Sequence, residues 1–227
     1  MYSTAKQNTL NVSVVSTGHV HTSYLLSLIT CAMTDLDSKI GMRVQFDVLN
    51  GISNLSHARS VALSQWVNRS QQGDLFMFID CDHTFDPADI INIVARQRAL
   101  AADIVCGMYM TKHAVCCLPH PEDPNLLLYG GTGFMLITHQ ICLRIKPVIL
   151  ELDGVVEVSF NNGIEKIVPY FQNRIIAEEA RWMGEDYSFC WLVRRVGGRI
   201  GRYASKTLGH EKMNILYVPE NLWNSTS

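Results

Sequence analysis

The stretch FMFIDCDHTFDP, Phe76 to Pro87, runs a strongly apolar segment directly into three acids and a histidine. The apolar part reads as a buried strand. In an extended chain residues i and i+2 face the same side, so Asp80 and Asp82 project together just past its end while Cys81 points away. Two convergent carboxylates repel unless something positive lies between them, and a hard divalent cation is the usual solution. The competing reading is a turn in which one Asp caps and the other is solvated; D-x-D by itself is a common pattern. Asp86 and Pro87 read as an N-cap followed by proline at the first helical position.

Working outward, the first half alternates apolar strands with amphipathic helices. NVSVVST (11–17), MRVQFDVL (42–49), DLFMFID (74–80) and DIVCGMYM (103–110) read as strands. Helices are expected from the first strand to about Asp37, over SHARSVALSQWVNRSQ (56–71), and from Pro87 to about Ala101. That order argues for an α/β fold with a mostly parallel central sheet flanked by helices. In such sheets ligands gather at the carboxyl ends of strands, where the D-x-D pair falls. After about residue 111 the rhythm changes to a proline-bearing loop, a glycine-opened strand GGTGFMLIT, and a hairpin over VVEVSFNNGIEKIV. A helix over 184–198 stopping at Gly197 and Gly198 follows, then a strand and loop over GRIGRYASKTLGH. The division is a nucleotide-binding half over about 1–110, a more irregular half with a smaller sheet over about 111–215, and a tail or linker over 216–227.

The 227 residues suffice for one compact domain with a sizeable core. A net charge of −2, from 19 basic and 21 acidic residues, offers no bulk electrostatic case for nucleic acid or an anionic membrane. The seven cysteines are odd in number, form no C-x-x-C pair, and mostly sit in apolar runs, which reads as reduced, buried thiols. With no signal-peptide pattern and no apolar run approaching the ~20 residues of a membrane span, a cytoplasmic location is expected.

Other segments carry chemistry of lower individual specificity. SNLSHARS (53–60) lies at a strand-to-helix junction, where amides attract anions and Arg59 suits phosphate; a plain cap with a surface Arg fits equally well. In GGTGF (130–134) the glycines allow close backbone approach and Thr132 exposes a hydroxyl, but the spacing is no dinucleotide fingerprint or P-loop. Glu185 and Asp186 open a helix, where the dipole alone favours acids, and successive side chains diverge by about 100°. LGHEK (208–212) brings His210 and Lys212 after the last strand; a lone histidine is more often structural than a ligand.

The order of these segments is more specific than any one of them. VVSTGHV, LSHARS, FIDCDHTFDP, IVCGMYMTK, GGTGFMLIT, GEDYSFC and LGHEK, over roughly 11–215, together resemble the GT-A (Rossmann-like) nucleotide-sugar glycosyltransferases, and among them compact viral and phage members such as the amino-terminal glycosyltransferase domain of a chlorella-virus capsid-glycan enzyme. The resemblance implies a single GT-A domain in which Asp80 and Asp82 meet Mn²⁺ (or Mg²⁺) and the donor diphosphate, with His210 completing the metal shell. Ser16 and Thr17 would line the base and ribose pocket, and Arg59 and Lys212 would approach the donor. Thr132 and Gly133 would border the sugar or acceptor, and Glu185 and Asp186 would face the acceptor as the catalytic carboxylates. It further implies a UDP-sugar donor, a glycan or glycoprotein acceptor, transfer of a hexose or deoxyhexose with a lean to retention, and membership of a larger multidomain polypeptide as an open possibility. A metal-dependent nucleotidyltransferase or phosphohydrolase, or a degenerate glycan-binding GT-A module, are the alternatives.

Overall fold

A computed structural model describes residues 7–16, 20–50, 52–111, 114–160, 163–211 and 215–217. The elements run β1 (Thr9–Ser16), α1 (Thr22–Ala32), α2 (Leu36–Ile40), β2 (Arg43–Asn50), α3 (Leu55–Arg69), β3 (Leu75–Ile79), β4 (His83–Thr84), α4 (Pro87–Leu100) and β5 (Ile104–Gly107). They continue as β6 (Leu118–Pro119), β7 (Leu127–Tyr129), β8 (Phe134–Thr138), α5 (His139–Leu152), β9 (Val156–Phe160) and β10 (Gly163–Ile167). The last are β11 (Arg174–Ile176), β12 (Arg181–Met183), α6 (Glu185–Arg195), β13 (Ile200–Tyr203), β14 (Gly209–Glu211) and β15 (Ile215–Tyr217).

Six strands form the central sheet in the order β13-β5-β8-β3-β1-β2. The pairs β1–β2, β1–β3 and β5–β13 are parallel, as the alternating pattern predicts. β8 is antiparallel to both β3 and β5, with Phe134 opposite Ile79. That reversal matters for the site, because the residues preceding β8 emerge at the same sheet edge as the residues following β3. β3 is wholly buried, and Phe76 and Phe78 pack edge to face with ring centroids 4.7 Å apart. Helices cover both faces of the sheet, leaving one core around Phe76, Phe78 and α5–α6 and another around Met77, Ile79 and α4.

Asp86 caps α4 as expected: its side chain accepts from Ala88 and Asp89 amides, Asp89 returns the bond, and Pro87 follows the cap. The pairing of β9 with β10 gives the expected hairpin, although its turn at 161–162 lies outside the described residues. The sequence reading assigned no element to α5. Pro147 sits inside that helix and removes one backbone donor. The helix persists because Ile141, Cys142, Ile145 and Ile149 recur on one face and are all fully buried in the sheet-side core.

Candidate functional site

The site lies at the carboxyl end of β3, where burial of the whole strand fixes the point at which Asp80 leaves the sheet. There the Asp80 amide donates to the Gly133 carbonyl at 2.9 Å, tying the two loops together. The following residues fold back so that the two-residue strand β4 pairs antiparallel with β14, placing His210 directly opposite His83. Opposed residues of an antiparallel pair share a face. Asp82 sits between the two imidazoles: one carboxylate oxygen is 3.2 Å from His83 Nδ1 and the other 3.1 Å from His210 Nε2. The three side chains offer ligand atoms within 4.8 Å of one another, the one such cluster of three among the described residues. Burial alone would raise the Asp82 carboxyl, but hydrogen bonds from His210 and His83 outweigh it and hold it well below the usual carboxylate range.

His83 is a residue the sequence reading passed over. Its ring is fully buried, stands edge-on to Tyr109 at 4.3 Å between centroids, and leaves Nε2 without a hydrogen-bond partner. A Cβ on Gly133 would lie 2.5 Å from His83 Cε1 and 2.7 Å from the Tyr109 hydroxyl. Glycine is therefore required at 133 by close approach. Gly130 has the same constraint, since a Cβ there would lie 2.6 Å from Cys106 Sγ. The GGTG segment is thus a packed layer over Cys106, Tyr109 and His83.

A second group of carboxylates surrounds Arg59 on the first turns of α3. This guanidinium is almost completely buried. It donates through Nη2 to both oxygens of Asp80, at 2.8 and 3.0 Å, and through Nη1 to Glu185 at 3.2 Å and Asp186 at 3.0 Å. Desolvation lowers the Arg59 pKa, but Asp80 and Asp186 more than compensate and raise it overall. Asp186 also accepts from the Thr132 hydroxyl at 2.7 Å and the Thr132 amide at 3.3 Å. Burial raises the Asp186 carboxyl above its ordinary value against the pull of Arg59.

The structure therefore brings Asp80, Arg59, Thr132, Gly133, Glu185 and Asp186 together and sets Asp82, His83 and His210 beside them. Asp80 and Asp82 do not share one partner: Asp80 is held by Arg59, and Asp82 by the histidines. Arg59 directs its guanidinium at carboxylates. Ser16 is buried at the carboxyl end of β1, adjoining the loop where the His21 amide donates to the Cys81 carbonyl at 3.1 Å. Thr17 and Lys212 lie outside the described residues.

Does this site fit a divalent cation? Asp82 supplies a carboxylate kept ionised, two imidazoles supply nitrogens, and the surrounding acids outnumber the single described arginine. One carboxylate with two imidazoles is a donor set suited to a first-row ion such as Mn²⁺. The residues fit.

No protein-family model matches the sequence, and no curated protein matches it. Among solved structures, GalNAc-T7 with UDP, GalNAc and Mn²⁺ superposes with a TM-score of 0.51 at 10% identity over 90% of this chain and 44% of that one. A Drosophila β1,4-galactosyltransferase 7 point mutant with manganese, UDP-Gal and xylobiose gives 0.48 at 13% identity, covering 86% and 64%. TarS from S. aureus gives 0.49 at 13%, covering 92% and 36%. The chain thus spans less than two thirds of the length of each of these structures. No helix among the described residues is long and apolar enough to cross a membrane. The mixed, mostly parallel sheet flanked by helices is the GT-A (Rossmann-like) fold.

Proposed function

We propose that this chain is a Mn²⁺-dependent glycosyltransferase that moves a hexose or deoxyhexose from a UDP-sugar to a hydroxyl of a glycan or glycoprotein. The observation that carries the reading is the Asp82–His83–His210 cluster at the carboxyl edge of a GT-A sheet, next to Asp80, Glu185 and Asp186. GalNAc-T7, solved with UDP, GalNAc and Mn²⁺, is consistent with it at the level of fold.

In this reading Asp82, His83 and His210 hold the cation, and Asp80 adds negative charge beside it. The cation, when bound, neutralises charge that develops on the leaving diphosphate. Ser16, with Thr17, lines the base and ribose, and Lys212 reaches the donor. Arg59 serves chiefly by fixing Asp80, Glu185 and Asp186 in place. Thr132 and Gly133 border the transferred sugar. Glu185 binds Arg59 through one oxygen only, and of the two carboxylates it is the better placed to orient the acceptor hydroxyl. Asp186 already accepts from Thr132 and Arg59, which suits a group that holds the wall in place more than a proton acceptor and keeps the lean towards retention. The cytoplasmic setting rests on the sequence pattern alone, the likeness to compact viral members rests on the order of motifs, and a place within a larger multidomain polypeptide stays open.

The test is a panel of nucleotide sugars with and without Mn²⁺, scored for the nucleotide released and for the anomer formed by NMR. UDP release that requires Mn²⁺ supports the reading. Release of UMP or pyrophosphate would instead mark a nucleotidyltransferase or phosphohydrolase, and sugar binding indifferent to Mn²⁺ a glycan-binding module.

A further inference from the structure

All seven cysteines are free thiols, and two adjacent ones are arranged unlike the rest. Neighbouring side chains in an extended segment point to opposite sides. Cys116 and Cys117 do not: their Sγ atoms lie 3.4 Å apart and both thiols donate to the same acceptor, the Gly107 carbonyl, at 3.6 and 3.7 Å. The backbone between β5 and β6 is therefore folded so that consecutive thiols converge. Cys116 is buried and Cys117 half-buried, so Cys117 is the more exposed residue of the pair. The pair also adjoins the glycine layer, since a Cβ on Gly131 would lie 3.3 Å from Cys116 Cβ. Hydrogen bonds from Cys117 and from backbone outweigh burial and hold the Cys116 thiol below its ordinary value, whereas the bond to Cys116 and burial push the Cys117 thiol up.

We infer that Cys116 and Cys117 form a reversible thiol oxidation site that closes to a vicinal disulfide. The oxidant is a small-molecule disulfide of the glutathione class. Cys117, the less buried of the two, gives up its proton and attacks one sulfur of that disulfide, forming a mixed disulfide and releasing one thiolate. Cys116 then attacks Cys117 Sγ, forming the intramolecular S–S bond and expelling the second thiolate. Two protein thiols are oxidised, one disulfide is reduced to two thiols, and the two protons pass to the products. The sulfurs must approach from 3.4 Å to about 2.05 Å, a movement confined to one dipeptide.

The experiment treats the full reduced chain with excess glutathione disulfide, alkylates remaining thiols after denaturation, and maps the products by mass spectrometry. The expected result is two fewer alkylated thiols and a peptide spanning 116–117 that has lost two hydrogens, both reversed by dithiothreitol. Cys117→Ser and, independently, Cys117→Ala should retain every remaining thiol under the same treatment, with circular dichroism confirming that each variant folds. A full complement of alkylated thiols in the wild type would overturn the proposal. So would a glutathione adduct that persists on Cys117, or a cross-link joining Cys106 to Cys190, the other neighbouring thiols.

Discussion

Asp80 and Asp82 stand two residues apart on the same segment, yet they enter different environments. Asp80 faces a permanent cation, the buried Arg59, which also engages Glu185 and Asp186. Asp82 faces two imidazoles. In the first region one guanidinium ties three carboxylates together, a charge network that holds its acids in place while leaving them in excess. In the second, a carboxylate held ionised sits between two imidazoles. The two acids of this D-x-D pair thus do not act as one unit: Asp80 joins the Arg59 network and Asp82 the two imidazoles.

The largest break in that contrast comes from Asp82→Asn, which removes the charge between the imidazoles. Mn²⁺-dependent turnover should fall about 100-fold or more while thermal stability stays near wild type, as read by initial rates and calorimetry. Arg59→Met should do the reverse in kind. It leaves Asp80, Glu185 and Asp186 mutually repelling and should cost about 3 kcal/mol of stability, measured by urea denaturation, while Mn²⁺ binding at Asp82 persists. Arg59→Lys should rescue only part of that loss, because one ammonium cannot reproduce the forked contacts to three carboxylates.

Smaller effects sharpen the same division. His210→Ala should weaken Mn²⁺ affinity by at least the roughly tenfold loss seen when groups supporting a metal site are removed, without altering the acceptor KM. Thr132→Val should cost about 1 kcal/mol through the lost hydroxyl bond to Asp186, and its effect should appear in the acceptor KM with the Mn²⁺ activation curve unchanged. A Thr132→Val variant that shifted the Mn²⁺ curve would show that the two regions are not separate.

Local signals were readable from sequence and long-range ones were not. Asp86 and Pro87 declare a helix start within three residues, and the apolar run ending at Asp80 declares a buried strand. His83 was invisible because its role depends on the register of β4 against β14, a pairing of distant segments. The partners of Arg59 come from two other regions of the chain, so LSHARS alone suggested an anion site where the fold places carboxylates. The glycines of GGTG signalled close approach, but what they approach depends on β8 running antiparallel. α5 was missed because Pro147 argues against a helix locally, while buried apolar side chains decide for one globally.

The most direct measurement is Mn²⁺ binding by electron paramagnetic resonance, comparing the wild-type chain with His83→Gln and Arg59→Lys. One bound ion per chain in the wild type and Arg59→Lys, with binding lost or sharply weakened in His83→Gln, is the predicted outcome. Undiminished binding in His83→Gln, or no binding in the wild type, would contradict the assignment of Asp82, His83 and His210 as the cation site.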